Sequence, residues 1–319
     1  MRILVTGGAG YIGSVAVAML IERGYKVTVL DDLSTGHKNS IVEGAKFIEG
    51  SILNPIAVEE ALEDVEAVIH FAGKSIVSES VEKPDLYYKE NVLGTENLLN
   101  TMMKQKVRKI VFSSSASVYG EVSENPVTEN NKTEPINPYG KTKLEVEKLI
   151  ETYVKENEFS GISLRYFNVA GAYNSTIGWL REKHAIETHL IPNILNSTKE
   201  RPFGIFGTDW VTPDKTCIRD YVHVEDLVEA HIRALDQLNT GKYMVCNLGS
   251  GKGYSVKEII NAACVATSRE IYSVVKSKRE GDPAVLVADI SRARLELDWY
   301  PKKSISQMVK DAYQALNID

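Results

Sequence analysis

Six short apolar runs punctuate the first 168 residues, with helical stretches between them. The runs are RILVTG (Arg2–Gly7), KVTVLDD (Lys26–Asp32), AKFIEG (Ala45–Gly50), EAVIHFAG (Glu66–Gly73), KIVFSSS (Lys109–Ser115) and GISLRYFN (Gly161–Asn168). Most are continuous Val, Ile and Leu rather than strict alternations, as in parallel strands buried on both faces. Residues Ser14–Arg23, Pro84–Lys106 and Pro138–Asn157 carry the helical pattern between them. A β–α alternation of this kind predicts a doubly wound, parallel α/β sheet, because each parallel neighbour needs a crossover connection. Beyond Asn168 the pattern loosens, with helices expected near Leu190–Thr198, Glu225–Leu235, Ser255–Val265 and Ser304–Leu316.

TGGAGYIG sets Gly7, Gly10 and Gly13 after the first strand and before the first helix. Glycines there let the backbone turn tightly and approach a pyrophosphate seated on the amides of a helix N-terminus. The spacing is one residue looser than the usual dinucleotide fingerprint, and a structural turn would use the same residues. Context decides: the second strand ends in Asp31, placed to accept from both hydroxyls of a ribose. Asp31 and Asp32 would repel a 2′-phosphate, and no arginine lies between Val27 and Lys38. NAD is therefore expected over NADP. The organisation that follows is a Rossmann-like NAD-binding domain over 1–168 and a smaller α/β substrate lobe over 169–319, with segments interleaved between them.

A net charge of −6, with no dense basic run, argues against nucleic-acid and membrane partners. Any anionic ligand must then be held by locally placed groups. Three widely spaced cysteines, Cys217, Cys246 and Cys264, fit a reducing compartment rather than a disulfide framework. His184 and His189 are five residues apart and do not share a helical face, so no metal is expected. With a strand at the start and no apolar run of membrane-spanning length, the expectation is a cytoplasmic protein without a leader.

The fifth run ends in the hydroxyl cluster Ser113, Ser114 and Ser115, at the end of a parallel strand where ligands of such sheets sit. These serines could instead cap the turn that follows, which is the expectation for Ser113. Further on, NPYGKTKLEVEKLI places Tyr139 and Lys143 four residues apart, on one helical face. Many solvated helix faces carry such a pair, and spacing alone leaves the choice open.

Taken together, Ser115, the Tyr139–Lys143 pair and the glycine loop resemble the extended short-chain dehydrogenase/reductases. VTGGAGYIGS, HFAG, FSSSASVYG, NPYGKTKLEVE, LRYFNVAGA, ETHLIP, RDYVHVEDL and GDPAVLVAD, in that order, narrow the resemblance to the UDP-glucose 4-epimerase family. It implies an enzyme that interconverts UDP-galactose and UDP-glucose. The hexose is oxidised at carbon 4, turns over as a 4-keto intermediate and is reduced from its other face, so NAD is regenerated. Tyr139 is then the catalytic base, Lys143 the cation that lowers its pKa by about 1–3 units and binds nicotinamide ribose, and Ser115 the partner of the reacting oxygen.

The resemblance further implies cofactor contacts from Gly7, Gly10, Tyr11, Ile12 and Gly13, from Asp31 and Asp32, and from Ser51 and Ile52. Phe71, Ala72, Gly73, Asn91, Ser113 and Phe167 complete that set. The substrate would meet Ser115, Tyr139, Asn168, His189, Leu190, Ile205 and Phe206. Arg219 and Arg279 would clamp its phosphates, and Asp282 its uridine ribose.

Ser51 stands where the family usually carries an aspartate, and Lys74 lies one residue from the usual lysine. Leu286 occupies the position that gates the sugar pocket in relatives; its intermediate size admits UDP-N-acetylhexosamines as secondary substrates. A homodimer is expected from the resemblance. A nucleotide-sugar 4,6-dehydratase would need an acid pair where Ala116 and Ser117 stand. A UDP-glucuronate decarboxylase would need a basic group for the sugar carboxylate, and a non-catalytic NAD sensor would be expected to lose the Tyr–Lys pair.

Overall fold

The computed structural model describes residues 1–122, 124–183, 189–239, 241–279 and 282–316. His184 and the rest of the stretch 184–188, with Glu280 and Gly281, lie outside the described residues. The six expected runs form strands β1 (Arg2–Thr6), β2 (Lys26–Asp31), β3 (Lys46–Glu49), β4 (Ala67–His70), β5 (Lys109–Ser115) and β6 (Ser160–Tyr166). All are parallel, and a seventh strand, Tyr243–Leu248, joins from the second half of the chain beside β6. The order across the sheet is β3, β2, β1, β4, β5, β6 and then Tyr243–Leu248.

Burial on both faces explains the continuous apolar runs. On β1, Ile3 and Val5 enter one core layer and Leu4 the other; β5 divides Val111 from Ile110 and Phe112 in the same way. Helix α1 (Tyr11–Glu22) and helix Val224–Asp236 cover one face. Helices Pro55–Ala61, Gly94–Lys104 and Pro138–Glu156 cover the other. The stretch expected as one helix over Pro84–Lys106 is divided: an α turn at Pro84–Tyr87, a π turn over Tyr88–Leu93, then α-helix from Gly94 to Lys104. A π turn of six residues is shorter than the window over which apolar periodicity can be read, so the pattern does not reveal it.

A second core lies among helices Leu190–Leu195, Val256–Thr267 and Ile305–Leu316. It is joined to the first by a small sheet in which Ile218–His223 pairs with Asn168–Ala170, Gly253–Ser255 and Val285–Leu286. Strand Phe203–Phe206 pairs with Ser273–Lys276 at its side. Among the described residues no helix is long and apolar enough to cross a membrane.

Candidate active site

The chain runs outward from β1 to β3, then returns to place β4 on the other side of β1. That reversal opens a crevice at the carboxyl ends of β1 and β4, where ligands of open α/β sheets sit. Gly7 leaves β1 with φ +71°, and a Cβ there would lie 2.7 Å from the Ala72 nitrogen after β4. Gly13 sits so close under the turn that a Cβ would fall 2.0 Å from the Gly7 carbonyl oxygen. Gly10 caps α1 without a side-chain hydrogen bond. The first turn of the helix thus points bare backbone at the crevice, a cradle suited to a pyrophosphate.

Asp31 closes the far side. Its carboxylate accepts from the Ala9 amide at 2.9 Å and the Leu33 amide at 2.8 Å. Burial pushes its carboxyl above the usual range; those amides oppose the shift and the charge of Asp32 adds to it. The cleft has a volume of about 340 Å³, and Gly7, Gly10, Tyr11, Ile12, Gly13, Asp31, Asp32, Ser51 and Ile52 line one end. Phe71, Ala72, Gly73, Lys74 and Ser75 form its middle, and Ser115, Tyr139, Lys143, Phe167, Asn168 and His189 the other end. The glycine cradle, the acid at the end of β2 and the Tyr–Lys pair fit a dinucleotide lying across the switch point.

Helix Pro138–Glu156 starts at Asn137, whose side chain accepts from the Gly140 amide at 2.8 Å, with Pro138 in the first turn. Tyr139, Lys143, Val146, Glu147, Ile150 and Val154 form its buried stripe, so the pair faces the sheet. Lys141 and Lys148 are exposed. Tyr139 hydrogen-bonds Ser115. Ser115 Oγ also accepts from the Ser117 amide at 3.2 Å, so this serine caps its turn as well as facing the tyrosine. Lys143 Nζ donates to the Ser113 carbonyl at 2.8 Å and lies 5.8 Å from the centre of the Tyr139 ring.

The expected lowering of the Tyr139 pKa by Lys143 is absent here. Burial pushes the Tyr139 hydroxyl above its ordinary value, with Tyr166 adding and the Ser115 hydrogen bond opposing. Burial also brings Lys143 down to about 8, against the charge of Glu147. The physical reason is that a dry site penalises both charged forms, and Lys143 spends a donor on Ser113 rather than on the tyrosine.

Several expected residues lie off the cleft wall. Ser113 Oγ donates to the Tyr166 hydroxyl at 2.8 Å. Asn91 accepts from the Lys74 amide at 2.7 Å and donates to the Lys74 carbonyl and Thr142 Oγ1, each at 3.0 Å. It pins the loop after β4 to the Tyr139 helix. Asn91→Ala is expected to cost about 1–3 kcal/mol by orphaning these groups, and a lowered melting temperature checks it.

Leu190 begins the helix Leu190–Leu195. Ile205 and Phe206 lie on their own strand, with the Arg279 guanidinium 3.9 Å from the centre of the Phe206 ring. Arg219 donates to the Pro283 carbonyl at 2.8 Å and lies 3.6 Å from Asp282 Oδ1. One strand connects this cluster with the cleft: Tyr221 pairs with Asn168, and Arg219 with Leu286.

Sequence reasoning passed over Tyr166, Glu90 and Glu182, all on the cleft wall. Tyr166 was reachable, since it precedes Phe167 and Asn168 and stands opposite Ser115 across β5 and β6. Buried His70 was not: it bridges Thr6 Oγ1 at 2.6 Å and Thr95 Oγ1 at 2.8 Å, and burial holds it neutral with a pKa of about 3, helped by the Lys143 charge.

Residues 3–249 match the model of the NAD dependent epimerase/dehydratase family. A UDP-glucose 4-epimerase of Corynebacterium glutamicum is 44% identical over 98% of this chain and 95% of its own length. One from Lactobacillus helveticus is 46% identical over 98% and 96%. The crystal structure of UDP-glucose 4-epimerase from Bifidobacterium longum, in complex with NAD+ and UDP, superposes with a TM-score of 0.90 at 36% identity, covering 99% of both chains. The chain belongs to the NAD dependent epimerase/dehydratase family, and its near relatives there are UDP-glucose 4-epimerases.

Proposed function

We propose that this protein is a UDP-glucose 4-epimerase, interconverting UDP-galactose and UDP-glucose with tightly held NAD. The observation that carries the reading is the meeting of Ser115, Tyr139 and Lys143 at the end of the cleft that the glycine cradle opens. Bound NAD supplies the acceptor and donor of hydride, and its positive ring adds the cation that the Tyr139 hydroxyl lacks.

Hydride can leave carbon 4 only as the proton leaves its hydroxyl, so a base must stand within hydrogen-bond reach. In this reading Tyr139 takes that proton and later returns it. Ser115, bonded to Tyr139, orients the sugar oxygen. Lys143 uses one donor on Ser113 and offers the others to ribose hydroxyls. Tyr11 and Ile12, in the first turn of α1, present amides to the pyrophosphate, and Asp31 accepts from adenosine ribose. Arg219, Arg279 and Asp282 hold the uridine diphosphate, whose remote binding energy retains the loosened 4-keto sugar while it turns.

The turn after β5 carries Ala116 and Ser117, which leaves elimination of water without an acid at that place. The carboxylates on the cleft wall, Asp31, Asp32, Glu90 and Glu182, come from other elements. A cytoplasmic homodimer completes the reading, and sedimentation at twice the chain mass checks the assembly.

The reading is tested by incubating purified protein with UDP-galactose, without added NAD, and following the anomeric signals by NMR. Growth of UDP-glucose to a fixed ratio supports it; a 6-deoxy-4-keto product, or no turnover even with NAD added, overturns it. UDP-N-acetylgalactosamine in the same assay tests the secondary substrates. A pH series adds a further expectation. The Lys143 ammonium, with its pKa drawn down to about 8, loses its proton as pH rises through that value. kcat/KM should therefore fall on an alkaline limb centred near pH 8, well below the ordinary lysine range.

A further inference from the structure

Three successive residues of β5 each engage the catalytic helix, at positions one helical turn apart. Ser115 bonds Tyr139, the Ser113 carbonyl accepts from Lys143 Nζ at 2.8 Å, and Ser114 Oγ donates to Glu147 Oε1 at 2.5 Å. The first two contacts belong to the site described above. The third lies beneath it, where Glu147 is 3% exposed and Ser114 fully buried. Arg165 of β6 grips the same carboxylate from the other side, Nε to Oε1 at 2.9 Å and Nη2 to Oε2 at 2.5 Å. Arg165 is 6% exposed, and its guanidinium lies over the Tyr119 ring.

A buried ion pair is a costly way to hold a helix on a sheet; apolar residues of the same volume would do so without desolvating two charges. What the pair provides is direction. A two-point guanidinium–carboxylate contact fixes angle and depth, which a greasy contact does not. It also leaves an anion one turn below the Lys143 ammonium. Among the described residues, the other groups around Lys143 supply no such charge: Tyr139 on its own helix is neutral, Phe112 and the Ser113 carbonyl face it from β5, and neutral His70 stands on β4. On β6, Arg165 is turned to Tyr119, donating to its hydroxyl at 3.1 Å, and Tyr166 bonds Ser113.

We propose that Glu147 is a positioning residue: clamped by Ser114 and Arg165, it sets the depth at which Tyr139 and Lys143 enter the cleft and keeps the Lys143 ammonium charged. The proposal rests on the reading of Tyr139 and Lys143 given under Proposed function, and wild-type turnover of UDP-galactose checks that reading separately.

The test is Glu147→Gln, which keeps the length and removes the charge. kcat should fall about tenfold with KM little changed, since a small misplacement at the reacting atoms is costly. The alkaline limb should move to lower pH by about one unit, because an ammonium that loses a neighbouring anion gives up its proton more readily. Should Arg165, left without its counter-ion, prevent folding, Glu147→Gln with Arg165→Met removes both charges and should shift the limb in the same direction. Ser114→Ala keeps the ion pair and cuts its tie to β5; kcat should fall several-fold with the limb unmoved. A folded Glu147 variant with wild-type kcat and an unmoved limb, whatever its melting temperature, overturns the proposal, as does wild-type kcat in Ser114→Ala. No turnover by the wild-type protein would overturn the activity reading itself.

Discussion

Tyr139→Phe is expected to lower kcat by about 10³-fold while leaving KM and bound NAD nearly unchanged. The substitution removes one oxygen and leaves the ring on the buried stripe of its helix. The fold therefore has little reason to respond. In the transition state, however, the carbinol proton loses its acceptor, and about 10³-fold corresponds to roughly 4 kcal/mol of barrier. Ser115 remains 8% exposed at the cleft, but an ordinary serine hydroxyl is too weak a base to replace a tuned phenol. Initial rates with UDP-galactose, with NAD measured after denaturing the protein, give both halves of the result. A residual rate within about tenfold of wild type would remove Tyr139 from the chemistry.

Gly13→Ala should act at the other end of the cleft, through the backbone. The added Cβ would lie 2.0 Å from the Gly7 carbonyl oxygen and 2.9 Å from the Gly8 Cα. Neither can rotate away, so helix α1 must lift from the turn that it packs against. The expected cost is at least about 3 kcal/mol, the upper part of the range for overpacking. Purified protein should carry little NAD and melt well below wild type. A variant that keeps stoichiometric NAD and its melting temperature would show that the cradle is looser than the close approach implies.

What could be read from the residues was whatever depends on local spacing. Strands β1 to β6 emerged within a few residues of their ends because double burial writes itself as continuous Val, Ile and Leu. The glycine cradle and the acid at the end of β2 are fixed by short offsets from one strand. The π turn over Tyr88–Leu93 was hidden because six residues are too few for apolar periodicity to distinguish it from an α-helix. The seventh strand, Tyr243–Leu248, comes from far along the chain, and its place beside β6 follows from packing rather than pattern.

The site divides the same way. Tyr139 and Lys143 are four residues apart in sequence, yet only the tertiary structure places them on a buried face. Arg219, Arg279 and Asp282 entered through family resemblance, having no local pattern of their own. The Ser114–Glu147–Arg165 cluster joins two strands and a helix, and nothing in KIVFSSS or LEVEK separates it from an ordinary surface acid and a strand arginine.

The central claim is that one hydride leaves carbon 4 of the hexose and returns to its opposite face within a single bound complex. UDP-galactose deuterated at carbon 4, converted in ordinary water without added NAD, tests it most directly. The account predicts UDP-glucose that retains deuterium at carbon 4, read by NMR and mass spectrometry. UDP-glucose carrying protium at that carbon would contradict it.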